Sequence, residues 1–145
     1  MTGVQTCALP ISSFDDIIFG QEGNDIIKGG AGNDILSGGT GHNILAGGTG
    51  ADTFVVSKGG HDTILDYHQT EGDKVDISKV FTDAGDHLKV VADADGSAKL
   101  QILDSSNVEK ACVTFENINY YSDLNDHGAG NELDSLLGKV TIDHS

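Results

Sequence analysis

The chain has 145 residues and 23 acidic against 8 basic side chains, a formal charge of −15, with 20 glycines and a single proline. Such acidity excludes a nucleic-acid surface, which is ordinarily basic; it suits cation binding, and without cations like-charge repulsion opposes compaction. No stretch is long and apolar enough to span a bilayer, and the length fits one domain, or a repeat unit with a small appendage.

Residues 1–11 (MTGVQTCALPI) have no basic n-region and too short an apolar core for a secretory signal. They resemble a translated sequencing-adapter read and are expected to be a non-native leader. The native sequence is then expected to begin near Ser12, as a C-terminal piece of a longer protein. Residues 11–19 (ISSFDDIIF) read as a degenerate repeat, with Asp16 and Ile18 in place but no glycines.

Four nine-residue copies follow: GQEGNDIIK (20–28), GGAGNDILS (29–37), GGTGHNILA (38–46) and GGTGADTFV (47–55). Glycine recurs at positions one, two and four, except at Gln21. Position six is Asp25, Asp34, Asn43 and Asp52; position eight is Ile27, Leu36, Leu45 and Phe54. A fixed period of this kind marks stacked coils, because no single copy can bury its own apolar residue. The glycine half turns tightly and leaves carbonyls uncovered, and a carboxylate follows two residues later. Carbonyl and carboxylate oxygens are the ligands of a hard cation such as Ca²⁺. Each copy therefore reads as turn, ion ligand and short strand. Glycine–asparagine–aspartate runs also occur in flexible linkers, but a linker has no reason to place a large apolar residue at every ninth position.

The phrase resembles the RTX (hemolysin-type calcium-binding) repeat, GGxGxDxUx with U a large apolar residue. The resemblance implies a parallel β-roll in which two copies make one coil, copy n stacks on copy n+2, and Ca²⁺ sits between stacked turns. It implies metal-site roles for Gly20, Gly23 and Asp25; for Gly29, Gly30, Gly32 and Asp34; for Gly38, Gly39, Gly41 and Asn43; and for Gly47, Gly48, Gly50 and Asp52. Asp34 and Asp52 would share an ion, Asp25 would face the neutral Asn43 in a weaker site, and Asp16 would join below Asp34.

DTILDYHQTEGDKVDISKVF (62–81) resembles the segment that follows the last repeat in many RTX proteins. Asp62 and Asp66 would close the roll, with Asp62 completing a terminal ion site. Gly72-Asp73 reads as a turn before a strand over 74–77. Residues 86–118 read as antiparallel strands, since Leu88, Val90 and Ala92 alternate, as do Ala98, Leu100 and Ile102. Asp95-Gly96 marks a hairpin between them. An EF-hand loop is rejected there: Val91 and Ile102 stand where acids are required, and strands flank it.

Cys112 lies in an apolar alternation and reads as a small packed residue; no disulfide framework is implied. His42 and His61 read as solvated turn residues, and the six histidines are scattered. Neither an H-E-x-x-H helix nor a G-x-S-x-G elbow occurs, so no catalytic residue is expected. The tail combines a glycine link (Gly128, Gly130) with Leu133, Leu136, Leu137, Val140 and Ile142. With VTFENI (113–118) it resembles, more loosely, the C-terminal target region of type I secreted adhesins and toxins.

The expected fold is all-β: a short parallel β-roll (β-solenoid) over 12–66, then an antiparallel β-rich cap and type I secretion region over 67–145. The expected function is a secreted, extracellular calcium-binding module that folds on Ca²⁺ and supports export of a larger adhesin or toxin. Its partners would be calcium ions and a type I secretion transporter. The alternative is the C-terminal domain of a secreted enzyme, such as a serralysin-like metalloprotease or a lipase.

Overall fold

The computed structural model describes residues 12–124, 132–137 and 141–143. The 1–11 leader, the glycine link at 128–130 and Val140 lie outside the described residues.

The repeats wind into two facing parallel sheets. Strands β1 (Ile17–Phe19), β3 (Ile35–Ser37), β5 (Thr53–Val55) and β7 (Lys74–Asp76) build the first. Strands β2 (Ile26–Ala31), β4 (Gly41–Thr49) and β6 (Gly60–Ile64) begin the second. Ile17 pairs with Ile35 and Ile35 with Thr53, while Ile26 pairs with Ile44. Copy n therefore stacks on copy n+2, as the two-copy coil requires. Position eight of each copy points inward, and Ile27, Leu36, Leu45 and Phe54 are fully buried in one continuous column with Ile64 and Val75. Their neighbours Ile26, Ile35 and Ile44 point to solvent, as strand alternation dictates.

The glycine half is less purely a turn than expected. β4 spans nine residues, and Gly48 pairs with Gly30 inside the ladder. His42 and His61 accordingly lie on β4 and β6, not in turns. Their glycine neighbours Gly41 and Gly60 pair with each other within that ladder.

Beyond the repeats the second sheet becomes mixed. β8 (His87–Ala92), β9 (Ser97–Leu103) and β10 (Glu109–Asn119) form the antiparallel meander read from the sequence. Asp93–Ser97 is a plain hairpin turn, closed by Asp93 N donating to Ser97 O, with Gly96 at φ 89°. β10 then runs parallel to β6, with Cys112 opposite His61, so the sheet order is β2-β4-β6-β10-β9-β8. The first sheet ends with β11 (Thr141–Asp143) laid parallel to β7. A short helix α1 (Glu132–Leu137) places Leu136 fully buried in the core, while Leu137 stays exposed. Tyr67 ties the ends together: its hydroxyl donates to Asp73 O at 2.6 Å and accepts from Thr141 N at 2.7 Å, and its ring meets Phe115 edge-on.

Candidate metal centre

The turns stack into two acidic edges. On the first, Asp16, Asp34, Asp52 and Asp73 form a ladder in which each amide donates to the next Oδ1, at 2.8, 2.9 and 2.9 Å. On the second, Asp25 N donates to Asn43 Oδ1 at 3.0 Å, and Asn43 Nδ2 donates to Asp62 Oδ1 at 2.9 Å. Asp25, Asp34, Asn43, Asp52 and Asp62 are all buried, and Asp16 is part-buried. Both oxygens of Asp25, and the Oδ2 atoms of Asp34, Asp52 and Asp62, are buried with no hydrogen-bond donor near them. A buried polar oxygen without a partner is costly. Five such oxygens, in two rows, make the edges suited to a cation.

The glycines shape the cradles. A Cβ on Gly29 would strike the Asp34 carboxylate and lie 2.7 Å from the Gly47 carbonyl oxygen. At Gly20 it would lie 2.5 Å from Asp25 Oδ2 and 2.6 Å from Gly38 O. A carboxylate and a carbonyl from successive coils thus converge where any side chain would intrude. Gly47 faces Asp52 Oδ2 in the same way. Gly38 differs, because it faces the Asn43 amide nitrogen and Asp62 Oδ1. That cradle presents a donor along with its oxygens, and the Asn43–Asp62 hydrogen bond occupies part of the space.

The remaining predicted glycines set the stacking distance. Gly39, Gly41, Gly48 and Gly50 each sit directly over a carbonyl of the coil beneath, those of Gln21, Gly23, Gly30 and Gly32. At Gly48 the backbone also holds φ 101°, so a side chain there is excluded by both conformation and contact.

Burial governs the protonation of the edges. It pushes Asp52 up to about 6, helped by repulsion from Asp73, Asp34 and Asp66, against the opposing Asp34 amide. It pushes Asp62 up to about 7, against the Asn43 hydrogen bond. Asp25 and Asp73 are raised for the same first reason. These carboxylates resist ionisation because burial disfavours the charged form.

Sequence reading missed Asp73 as the last rung of the first edge. It stands 21 residues after Asp52, where the other rungs of that edge are 18 apart, so an insertion hides it. Both its oxygens accept amides, from Asp52 and His68, so it closes the ladder and neither oxygen is orphaned. Asp66 likewise accepts the Gly47 and Gly48 amides. Position five forms a second ladder: Asn33 N donates to Asp15, Ala51 N to Asn33 and His42 N to Asn24, each across 18 residues. The recurrence of Asn24 and Asn33 in adjacent copies was the available signal.

The model of the RTX calcium-binding nonapeptide repeat matches four copies, over residues 12–45 and 29–65. Residues 12–65 of this chain thus carry RTX calcium-binding repeats. No curated protein matches it in sequence. A similar solved structure is the solution structure of the AlgE6R3 subunit from the Azotobacter vinelandii mannuronan C5-epimerase, 27% identical, covering 90% of this chain and 91% of that one, with a TM-score of 0.55. RTX repeats imply calcium binding, and the orphaned oxygens are of the kind such a cation takes. Ca²⁺ takes six to eight oxygen ligands, and the edges offer carboxylates and glycine carbonyls and no thiol or imidazole. Among the described residues no helix is long and apolar enough to cross a membrane.

Proposed function

We propose that residues 12–66 are a roll that folds on binding Ca²⁺ at its two acidic edges, and that residues 67–145 cap it and carry information for type I secretion. The residues assigned to the ions are Asp16, Asp25, Asp34, Asp52 and Asp62, with Asn43 and the turn glycines around them. The observation that carries this reading is the row of buried carboxylate oxygens without donors. A cation bound there would neutralise these carboxylates and add stability to the folded state alone. In a low-calcium cytosol the chain would remain unfolded and threadable; outside, it would fold. Extracellular modules of this ligand type bind at about 10⁻⁴–10⁻³ M, which suits that division.

Export is supported by less: acidic calcium repeats lie upstream of an apolar tail. Part of that tail packs on the core through Leu136, and a segment can serve export first and packing afterwards. Circular dichroism across a Ca²⁺ titration tests the folding step; full strand content in excess chelator sinks it. Deletion of 133–145 tests the export step in a matching type I transporter, and normal export of the shortened chain refutes it.

A second reading is favoured by the AlgE6R3 likeness, since that solved chain is a subunit of an epimerase. On this reading the module serves a secreted enzyme, not an adhesin or toxin. The flanking gene sequence decides: a catalytic domain beside the repeats supports the enzyme, tandem adhesive repeats the first reading.

A further inference from the structure

A different cluster lies on the second sheet, away from the acidic edges. His42, His61, Cys112 and Gln101 are register partners across β4, β6, β10 and β9. Strand alternation turns His61 to the face opposite Asp62. His61 Nδ1 lies 3.1 Å from Cys112 Sγ and 3.4 Å from Glu109 Oε1. The three ligand atoms all fall within 4.8 Å of one another.

We propose that His61, Glu109 and Cys112 form a transition-metal site of Zn²⁺ type, distinct from the calcium edges. The donor set carries the argument. Imidazole, thiolate and carboxylate together suit a borderline ion and not Ca²⁺. Zinc bond lengths to N, O and S imply tetrahedral ligand–ligand edges of about 3.4–3.6 Å. The two shorter separations here approach that spacing without rearrangement of the backbone. Two neighbours hold the ligands in place, as outer-shell groups do at metal sites. Gln101 Nε2 donates to Glu109 Oε2 at 2.6 Å, which leaves Oε1 turned to His61. The His42 ring stacks on His61 with centroids 4.7 Å apart, fixing the plane of the imidazole. The His61 and Glu109 side chains are 37% and 25% exposed, so an ion can enter and a fourth position stays open to water.

Burial and the nearby Glu109 push the Cys112 thiol up to about 12. The free protein therefore holds a thiol. Coordination forms the metal–sulfur bond and releases the thiol proton to solvent, with no change of oxidation state.

The test uses the full chain in saturating Ca²⁺, with Co²⁺ as the spectroscopic probe. One equivalent of Co²⁺ is expected to give thiolate-to-metal charge-transfer absorption, which Zn²⁺ displaces and excess Ca²⁺ does not. Cys112→Ser is expected to abolish it and Cys7→Ser to leave it. Glu109→Gln, a near-isosteric change that keeps the thiol, is expected to weaken Co²⁺ binding at least several-fold. Absence of the band, its survival in Cys112→Ser, its loss in Cys7→Ser or its displacement by Ca²⁺ overturns the site. Should Cys112→Ser fail to fold on Ca²⁺, Glu109→Gln decides: unchanged Co²⁺ affinity overturns the proposal and weakened affinity upholds it.

Discussion

The buried carboxylates of the roll and of the hairpin region meet opposite fates. Asp86 accepts Lys110 Nζ at 2.6 Å and the Thr82 and Asp83 amides at 2.9 Å. The Lys110 ammonium holds its carboxyl below the usual range, although Oδ1 has no partner. On the roll edges burial pushes Asp52 and Asp62 up to about 6 and 7, and no cationic side chain among the described residues pairs with them. The hairpin region thus carries its countercharge in its own sequence, whereas on the proposed reading the roll takes its countercharge from solution. That contrast is what a conditionally folded module would need.

The largest effect that could break this comparison is chelation. In excess chelator the amides of β1–β5 are expected to lose hydrogen-exchange protection, while those of β8 and β9 keep more of theirs. Local opening of this kind is drawn from the least supported segments. Equal loss in both regions would show that the mixed sheet transmits the calcium dependence throughout, and the contrast would fail.

Acidity should act on the two regions with opposite sign. Asp52 and Asp62 rise from 3.8 to about 6 and 7 in the fold. Between pH 4 and 7 the ion-free folded state therefore binds more protons than the unfolded chain, and its stability falls as pH rises. Lowering the pH from 7.5 to 5 in chelator is expected to restore part of the strand signal. Asp86, with its lowered value, contributes stability above the ordinary carboxylate range and loses it only as pH falls through its folded value. Protons and Ca²⁺ compete for the same edges, so the Ca²⁺ midpoint rises on acidification. A chelated chain that loses structure steadily from pH 7.5 to 5 would contradict the assignment.

The repeat was legible because its period is strict. Coil register, the buried column of Ile27, Leu36, Leu45 and Phe54, and the pairing of Asp34 with Asp52 all follow from counting residues. Asp73 escaped because an insertion shifts it by three positions. The meander was legible from alternation, but the parallel joining of β10 to β6 was not, since Cys112 and His61 are 51 residues apart and pair through tertiary packing alone. Local pattern gives strand and turn; it does not say which edge a distant strand joins.

The roll itself is uneven, which sharpens the comparison. Asp34 and Asp52 are adjacent carboxylates that each keep one orphaned oxygen; on the second edge the neutral Asn43 stands between Asp25 and Asp62 and donates to Asp62, although orphaned oxygens remain on both. Asp34→Asn removes a charge from a carboxylate pair and is expected to raise the Ca²⁺ midpoint by about tenfold, a loss of ~1.4 kcal/mol at that site. Asn43→Ala should shift it less. Asn43→Asp sets a third carboxylate between Asp25 and Asp62, so it should tighten the second edge while weakening the ion-free fold. Calorimetric titration of the three variants measures this, and identical midpoints would remove the stacking argument.

The smallest expected effect on calcium comes from Lys110→Met, and that smallness is its value. Lys110 is the only described cation touching Asp86, and it also reaches Asp83 at 3.2 Å. Removing its charge leaves a buried carboxylate facing only two amides, and breaking such a pair from one side is destabilising. In saturating Ca²⁺ the melting temperature should fall by several degrees. The Ca²⁺ midpoint should barely move, because the Lys110 ammonium pairs with Asp83 and Asp86 and its backbone contact to Gly59 survives the substitution. Adding Asp86→Asn to Lys110→Met should recover part of the loss, since the stranded charge is then gone. The deficit of the single variant should also shrink at low pH, where Asp86 takes up a proton in both folded and unfolded chains. If Lys110→Met instead moved the Ca²⁺ midpoint as far as Asp34→Asn, the two regions would share one cooperative unit. The internal and external countercharges would then be two supports of a single equilibrium.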